Sequence, residues 1–176
     1  MYLIITNPKQ HDCNSLFMLT QDTDIRSEFS NLNFLSIQNV KHYIQYWDEI
    51  NNRNELEFLR LIKYSNLNVG QTSTWHDSNS MLLGFISNND YVSYYTNCKT
   101  TLNYAVSSKY RNRGILTHAL NMTIERMKSE GYNFAAAYVK HNNIPSIRVL
   151  EKCDFQKDKE NPFGITYIKQ FHKVVG

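Results

Sequence analysis

The strongest constraint on the fold lies between residues 100 and 155, where strand and helix patterns alternate in a fixed order. Residues 100–106 predict a strand, and residues 114–130 carry an apolar stripe at three- and four-residue spacing that predicts an amphipathic helix. Residues 134–139 form a short apolar run typical of a buried strand. Pro145 then stands in the first turn of a second predicted helix, where its missing N–H costs little. This order predicts an α/β sheet.

The rest of the chain predicts further strands and one more helix. Residues 55–64 fit either a helix or a strand, because their apolar residues match both periods. The other predicted elements are a hairpin of residues 2–6 and 16–20, a helix over 37–50, a hairpin of 72–76 and 81–86, a strand over 91–96, and closing strands over 155–156 and 165–172.

Composition excludes several classes of protein. The 176 residues, 41% hydrophobic and 20% charged, indicate a globular chain, and no apolar run approaches the roughly 20 residues of a membrane helix. The three cysteines and six histidines show no metal-ligand spacing, and a net charge of +3 is too small to indicate nucleic acid. We therefore expect a cytoplasmic protein with reduced thiols, no metal, and no membrane or nucleic-acid partner. The sequence leaves the oligomeric state open.

A basic turn with one glycine opens the helix predicted over residues 114–130. Its sequence, shortly after Val106, is Arg111-Asn112-Arg113-Gly114-Ile115-Leu116-Thr117. Free N–H groups and the positive end of the helix dipole converge at such a turn, and a glycine lets a ligand approach the backbone closely. The pattern predicts a phosphate-binding loop, and the alternative is an ordinary solvated turn.

A second polar segment precedes the helix that contains Pro145. It reads Asn143-Ile144-Pro145-Ser146-Ile147-Arg148-Val149-Leu150-Glu151-Lys152-Cys153-Asp154-Phe155.

The main alternative fold for such an α/β chain is a dinucleotide-binding Rossmann domain. That fold needs a glycine fingerprint after the first strand and an acidic residue beyond the second, and the chain has neither.

Together the two segments resemble the GNAT superfamily of acyl-CoA-dependent N-acetyltransferases. In that family the loop reads Arg/Gln-x-x-Gly-x-Gly/Ala, so Arg111 and Gly114 match and Leu116 replaces a small residue. The resemblance covers about residues 81–156 and is closest to the ribosomal-protein N-terminal and diamine acetyltransferase subgroup. It implies one GNAT-type domain over residues 1–176, with a mixed, mostly antiparallel twisted sheet flanked by helices. It also implies acetyl transfer from acetyl-CoA to a primary amine.

The resemblance assigns acetyl-CoA to both segments. The main chain of Val106 is implied to pair with the pantetheine arm, although the residue also fits a plain core valine. Asn143 is implied to orient the cofactor and Ser146 to line the same channel, with a helix-capping pair as the alternative. The implied phosphate loop consists of Arg111, Asn112, Arg113, Gly114, Ile115, Leu116 and Thr117.

Several positions depart from the residues that are usual in the family. Leu150 stands where many members carry the tyrosine that protonates the leaving thiolate, and Thr100 and Thr101 stand where a carboxylate is common. Asp154 replaces a glycine before Phe155. The proton-transfer candidates that remain are Tyr104, His141 and Ser146. The alternatives are a core aromatic for Tyr104 and a surface loop for His141.

The acceptor is the least determined part of this interpretation. A peptide N-terminus, a polyamine or another small amine all fit, with the acceptor side expected in residues 24–70 and a loop over 87–98. Without a visible acid or base, a non-catalytic acyl-CoA-binding sensor or interaction module is the alternative. Proximity alone can drive much of such a reaction, so an obvious base is not required.

Overall fold

The computed structural model of the chain describes residues 2–29, 32, 34–52, 57–65, 80–89 and 101–171. Within these ranges the helices are α1 (Cys13–Thr20), α2 (Thr23–Glu28), α3 (Ile37–Asn52), α4 (Ile115–Ser129) and α5 (Ile144–Lys152). The strands are β1 (Tyr2–Thr6), β2 (Phe58–Ser65), β3 (Met81–Asn89), β4 (Thr101–Val106), β5 (Phe134–Lys140), β6 (Gln156–Asn161) and β7 (Gly164–Gln170).

The strands form a mixed sheet in the order β1-β2-β3-β4-β5-β7-β6. β1 pairs antiparallel with β2 from Tyr2 opposite Ser65 to Thr6 opposite Leu61. β7 pairs antiparallel with both β5 and β6, whereas β4 and β5 are parallel. The predicted fold class, a mixed and mostly antiparallel α/β sheet with flanking helices, is confirmed.

The chain divides into two compact units. The first unit, called here the N-terminal unit, comprises Met1–Ile86 and Tyr104–Ile115, and the second, the C-terminal unit, comprises Ser87–Asn103 and Leu116–Gly176. The assignment of residues 1–176 to one domain stays a prediction.

The core of the N-terminal unit packs α1 and α3 together with strand residues. The apolar positions of α3 recur at three- and four-residue spacing, so one face of the helix is buried, as residues 37–50 predict. The buried cluster includes Leu16, Leu19, Ile25, Val40, Ile44, Trp47, Leu59, Leu61 and Phe85.

An ion pair is also buried in this unit. The Nζ of Lys63 on β2 lies 2.6 Å from Oδ1 of Asp12, and both side chains are almost fully buried. Asp12 also accepts the backbone N–H of Lys9 at 2.9 Å, and the ring of His11 lies nearby. Burying two charges is tolerated here because each neutralises the other and the carboxylate receives a second donor.

Several predictions for residues before β4 need correction or completion. Residues 16–20 are not a strand but part of α1, because Leu16 and Leu19 pack as one helical face and β2 takes the place beside β1. The ambiguous residues 55–64 contain strand β2 from Phe58 onward. Residues 87–89 of the expected acceptor loop belong to β3, and the strands expected over 72–76 and 91–96 lie outside the described residues.

From α4 onward the predicted order of elements is confirmed. The stripe of α4 is buried at Leu120, Ile124 and Met127, and the helix ends where Gly131 adopts a φ of 87°. β5 and α5 follow as the sequence predicts, whereas β6 covers Gln156–Asn161 rather than residues 155–156, and β7 covers Gly164–Gln170 rather than residues 165–172. Cys153 is buried, and burial raises the pKa of its thiol, which fits a packing residue rather than a nucleophile.

Candidate active site

The backbone at the end of β4 is held against β3 in the N-terminal unit. The N–H of Ser107 donates to the carbonyl of Leu83 at 2.9 Å. Because neighbouring residues of a strand direct their hydrogen-bonding groups to opposite sides, the N–H and carbonyl of Val106 point away from β3. The main-chain groups of Val106 are therefore not used by β3, and its side chain is buried.

Gly84 makes this close approach possible, and sequence reasoning missed it. A Cβ on Gly84 would lie 2.1 Å from the carbonyl oxygen of Ala105 and 3.0 Å from Cα of Val106, so any side chain would push the end of β4 away. The signal available in the sequence was a lone glycine inside an apolar strand, which indicates a close backbone approach.

The loop after β4 adopts the conformation that anion sites use. A short 3-10 turn, Ser108–Tyr110, leads to Asn112 and Gly114, with φ values of 61° and 72° in the left-handed region. Left-handed residues among ordinary ones turn backbone N–H groups toward a common point, and the first N–H groups of α4 add to them. Asn112, Arg113 and Gly114 are exposed, Ile115 is buried, and Leu116 and Thr117 are half-buried.

Two arginines of this loop have different surroundings. Nε of Arg111 donates to the carbonyl of Val106 at 3.1 Å, and its Nη1 lies 2.5 Å from Oδ2 of Asp24. The guanidinium of Arg113 lies 5.9 Å from the ring centre of Tyr110. Arg111 is thus tied to the protein by two contacts, whereas the charge of Arg113 stands on an exposed side chain.

Asp22 and Asp24 are further loop contacts that sequence reasoning missed. Asp22 accepts the N–H of Ser108 at 2.8 Å and the hydroxyl of Ser107 at 3.4 Å, and it caps α2 through the N–H of Asp24. Partial burial acts to raise the pKa of Asp22, but the hydrogen bonds from Ser108 and Asp24 and the nearby Arg111 together bring that pKa below its ordinary value. The carboxylate is therefore ionised at neutral pH.

In the C-terminal unit, the structure places Asn143 as the cap of α5. Its Oδ1 accepts the N–H of Ser146 at 3.3 Å, and Pro145 lies in the first turn, as the sequence predicts. The cap uses only the oxygen of the Asn143 amide, so its NH₂ group can still donate to a ligand. Ser146 is half-buried.

The other candidates for proton transfer lie in different surroundings. Tyr104 is half-buried on β4. Nε2 of His141 lies 2.8 Å from the carbonyl oxygen of Asn161, and its Nδ1 lies 3.5 Å from the carboxylate of Glu160, so the ring is held against the turn between β6 and β7. Leu150, at the family's tyrosine position, is fully buried and offers no proton.

Asp154 preserves the turn in which the family has glycine. Its φ is 59°, a left-handed conformation that aspartate tolerates better than most residues. Nζ of Lys169 lies 2.6 Å from the carbonyl oxygen of Cys153 and 3.4 Å from Oδ2 of Asp154, and so binds the end of α5. With aspartate in place of glycine, the backbone still makes the turn that leads through Phe155 into β6.

Replacing Asn143 tests whether it does more than cap α5. We expect both Asn143→Ala and Asn143→Ser to raise the KM for acetyl-CoA about tenfold, the value of roughly one hydrogen bond. Serine caps helices as well as asparagine does, so Asn143→Ser removes the amide donor and keeps the cap. Cys153→Ala is the control and should retain the parent KM. A parent-like KM for Asn143→Ser would assign Asn143 to capping alone.

Comparison with known proteins identifies the class to which this fold belongs. Residues 2–156 match the family model described as an acetyltransferase (GNAT) domain. Because the match spans most of the chain, the protein belongs to the GNAT acetyltransferase family, and the family expected from the two sequence segments is confirmed. It is an acetyl-CoA-dependent N-acetyltransferase.

Solved structures with the same fold include several acetyltransferases. The ribosomal-protein-S5-alanine acetyltransferase of Vibrio fischeri has a TM-score of 0.71 at 18% identity, over 97% of this chain and 93% of that one. RimL, a ribosomal L7/L12 alpha-N-protein acetyltransferase solved with coenzyme A, has a TM-score of 0.72 at 12% identity, over 96% and 93%. The microcin C7 self-immunity acetyltransferase MccE, solved with acetyl-CoA and AMP, has a TM-score of 0.67 at 18% identity, over 96% and 92%.

No curated protein matches the chain. Across the part of the chain that the structure describes, histidines, cysteines and carboxylates form no group of three or more able to hold a metal ion. None of the helices in the described ranges has the length and apolar character needed to cross a membrane.

Proposed function

We propose that this enzyme transfers the acetyl group of acetyl-CoA to a primary amine, and that the loop after β4 binds the pyrophosphate. The loop's conformation is the observation that supports the proposal most strongly. Asn112 and Gly114 are both left-handed, and α4, a helix of 15 residues, begins at Ile115. In the proposed complex the backbone N–H groups from Arg113 to Thr117 face the phosphates, and the exposed guanidinium of Arg113 supplies positive charge.

The pantetheine arm is proposed to contact main chain rather than side chains. The N–H and carbonyl of Val106 point away from β3, so an amide of the arm can pair with them as an added strand would. Nε of Arg111 donates to the Val106 carbonyl, but a carbonyl has two lone pairs and can accept a second donor. On α5, the NH₂ of Asn143 and the hydroxyl of Ser146 stay proposed cofactor contacts.

The chemical step needs a neutral amine and a route for one proton. The amine nitrogen attacks the thioester carbon, a C–N bond forms, and the C–S bond breaks. The proton lost from nitrogen is transferred to the thiolate sulfur, so that coenzyme A departs as a free thiol. Tyr104, His141 and Ser146 stay the proposed proton carriers. Because Leu150 is apolar, the thiolate must take its proton from one of these groups or from water. Positioning of the two reactants supplies the remaining rate acceleration.

A peptide α-amine is the acceptor we propose to test first. Its reference pKa of about 7.7–8.0 leaves roughly a tenth of it neutral at pH 7, whereas a lysine-type amine near 10.4 is less than about a thousandth neutral. Because the sequence shows no evident strong base, we favour an acceptor amine whose conjugate acid has the lower pKa. Two of the fold relatives above are named as ribosomal-protein acetyltransferases, one of them for alanine and the other as alpha-N-protein.

An amine panel with acetyl-CoA, monitored by free-thiol release, tests the proposal directly. Peptides with free α-amines should release thiol faster than polyamines, and N-terminally blocked peptides should release none. Transfer to hydroxyl acceptors would contradict the amine assignment. Acetyl-CoA binding without thiol release on any amine would instead support the non-catalytic sensor.

The rate of the peptide reaction should rise with pH. We expect kcat/KM to climb between pH 6 and about 8.5, because only the neutral amine attacks. Tyr104→Phe or His141→Gln should lower or flatten the climb if that residue carries the proton. A flat profile for the parent enzyme would contradict a rate limited by the neutral amine. Unchanged profiles in both variants would contradict only the two residue assignments.

A further inference from the structure

The first turn of α2 binds the loop after β4 through two carboxylates. Asp22 holds Ser107 and Ser108, the two residues directly after Val106, at 3.4 and 2.8 Å. Asp24 accepts a hydrogen bond from Nη1 of Arg111. Nε of the same arginine donates to the carbonyl of Val106. We call these contacts of Asp22 and Asp24 with residues 107–111 the α2 clasp.

The location of the clasp is unexpected on electrostatic grounds. A site for a polyanionic phosphate gains from positive charge, and two carboxylates beside it repel the ligand. Asp24 also neutralises Arg111, which the family pattern places in the phosphate loop. A purely electrostatic optimum would have neither carboxylate there, so their contacts need another explanation.

The geometry offers that explanation, because the shorter contact of Asp22 fixes loop backbone and Asp24 contacts Arg111, which itself donates to the Val106 carbonyl. Asp22 anchors the N–H that begins the 3-10 turn Ser108–Tyr110, and Arg111 ties the end of that turn back to the Val106 carbonyl. The left-handed residues Asn112 and Gly114 follow at once. A loop held before its ligand arrives loses less conformational entropy on binding.

We propose that Asp22 is a positioning residue for the cofactor loop, with Asp24 acting in the same way through Arg111. Arg111 then supports the loop, and Arg113 with the backbone N–H groups takes the phosphate charge. This inference rests on the proposed binding of acetyl-CoA at the loop. It also links α2 to the cofactor loop, so that the order of the loop depends on a segment that has no part in the phosphate motif.

Asp22→Ser separates this role from helix capping. Serine still caps α2, but its side chain is too short to keep the contact with Ser108. We expect the KM for acetyl-CoA to rise about tenfold with kcat nearly unchanged, because a hydrogen bond to a charged group is lost and the reacting atoms are untouched. Asp24→Asn should raise the KM only about twofold, because the Asp24–Arg111 pair is exposed.

Ser108→Pro removes the same hydrogen bond from the other side. Proline suits the first position of the turn, and Ser107 before it has φ −49° and ψ 140°, which proline permits. We expect Ser108→Pro to match Asp22→Ser, and the double variant to be no worse than either single variant. Glu125→Gln, which removes an exposed carboxylate paired with Lys128 on α4, is the charge control and should retain the parent KM.

The outcomes separate this inference from the proposed function. If the parent protein does not bind acetyl-CoA, as measured by calorimetry, the proposed function itself fails. If the parent binds and the Asp22→Ser variant binds equally well or more tightly, the carboxylate acts only by its charge or not at all, and the positioning role is overturned. Additive effects in the double variant would also overturn it, because they would show that Asp22 and Ser108 act separately.

Discussion

Asp12→Ala is expected to lower the free energy of unfolding by about 3–5 kcal/mol, the usual cost of leaving a buried charge without its partner. The Lys63 ammonium lies 2.6 Å from the Asp12 carboxylate, and their side chains are only 4% and 6% exposed. Without Asp12 that ammonium loses the charge that compensates it in the structure. Urea denaturation at pH 7 should show a lower midpoint with an unchanged slope.

The exposed pair between Lys9 and Asp48 provides the control for this result. Their side chains are about half exposed, so Asp48→Ala should cost less than about 1 kcal/mol. The double variant Asp12→Leu with Lys63→Met should recover much of the loss, since a buried pair can often be replaced by apolar side chains of similar size. Equal midpoints for Asp12→Ala and Asp48→Ala would contradict the burial of the pair.

Gly114→Val should abolish stabilisation by acetyl-CoA. At about a hundredfold excess over its dissociation constant, acetyl-CoA should stabilise the parent protein by roughly 2.7 kcal/mol. Apart from its chain neighbours, no atom of the described residues lies within 4 Å of a Cβ built at Gly114, so the effects of valine would be backbone strain at a φ of 72° and obstruction of the ligand. Thermal unfolding with and without millimolar acetyl-CoA measures the loss.

Gly131→Val is a matched control for the backbone strain that valine causes at a positive φ. Gly131 has a φ of 87° and equally open surroundings, but it lies at the C-terminal end of α4. Both variants should be destabilised without ligand, and only Gly131→Val should still be stabilised by acetyl-CoA. Where valine prevents folding, the corresponding alanine variants give the same comparison with less strain. If acetyl-CoA leaves the parent's unfolding temperature unmoved, the cofactor assignment is wrong.

The sequence by itself determined the parts of this protein whose signals are local. The stripe of α4, its glycine end at Gly131, the buried strand β5 and the proline in the first turn of α5 were all predicted within one or two residues. Helix periodicity, capping and turn chemistry act between residues a few positions apart, so a short stretch of sequence is enough to show them. The basic turn with Gly114 was visible for the same reason, and its binding of phosphate stays a prediction.

Only the tertiary structure decided the parts that depend on distant partners. Residues 16–20 became helical because Leu16 and Leu19 pack into the core, and residues 58–65 became a strand beside β1. Asp22 and Ser108 are 86 positions apart, and Asp12 and Lys63 are 51 apart. No periodicity or motif links such residues along the chain. Their pairing follows from the packing of the N-terminal unit. That packing brings Asp22 to the N–H of Ser108 and Asp12 to the ammonium of Lys63, and so gives each of these donors an acceptor.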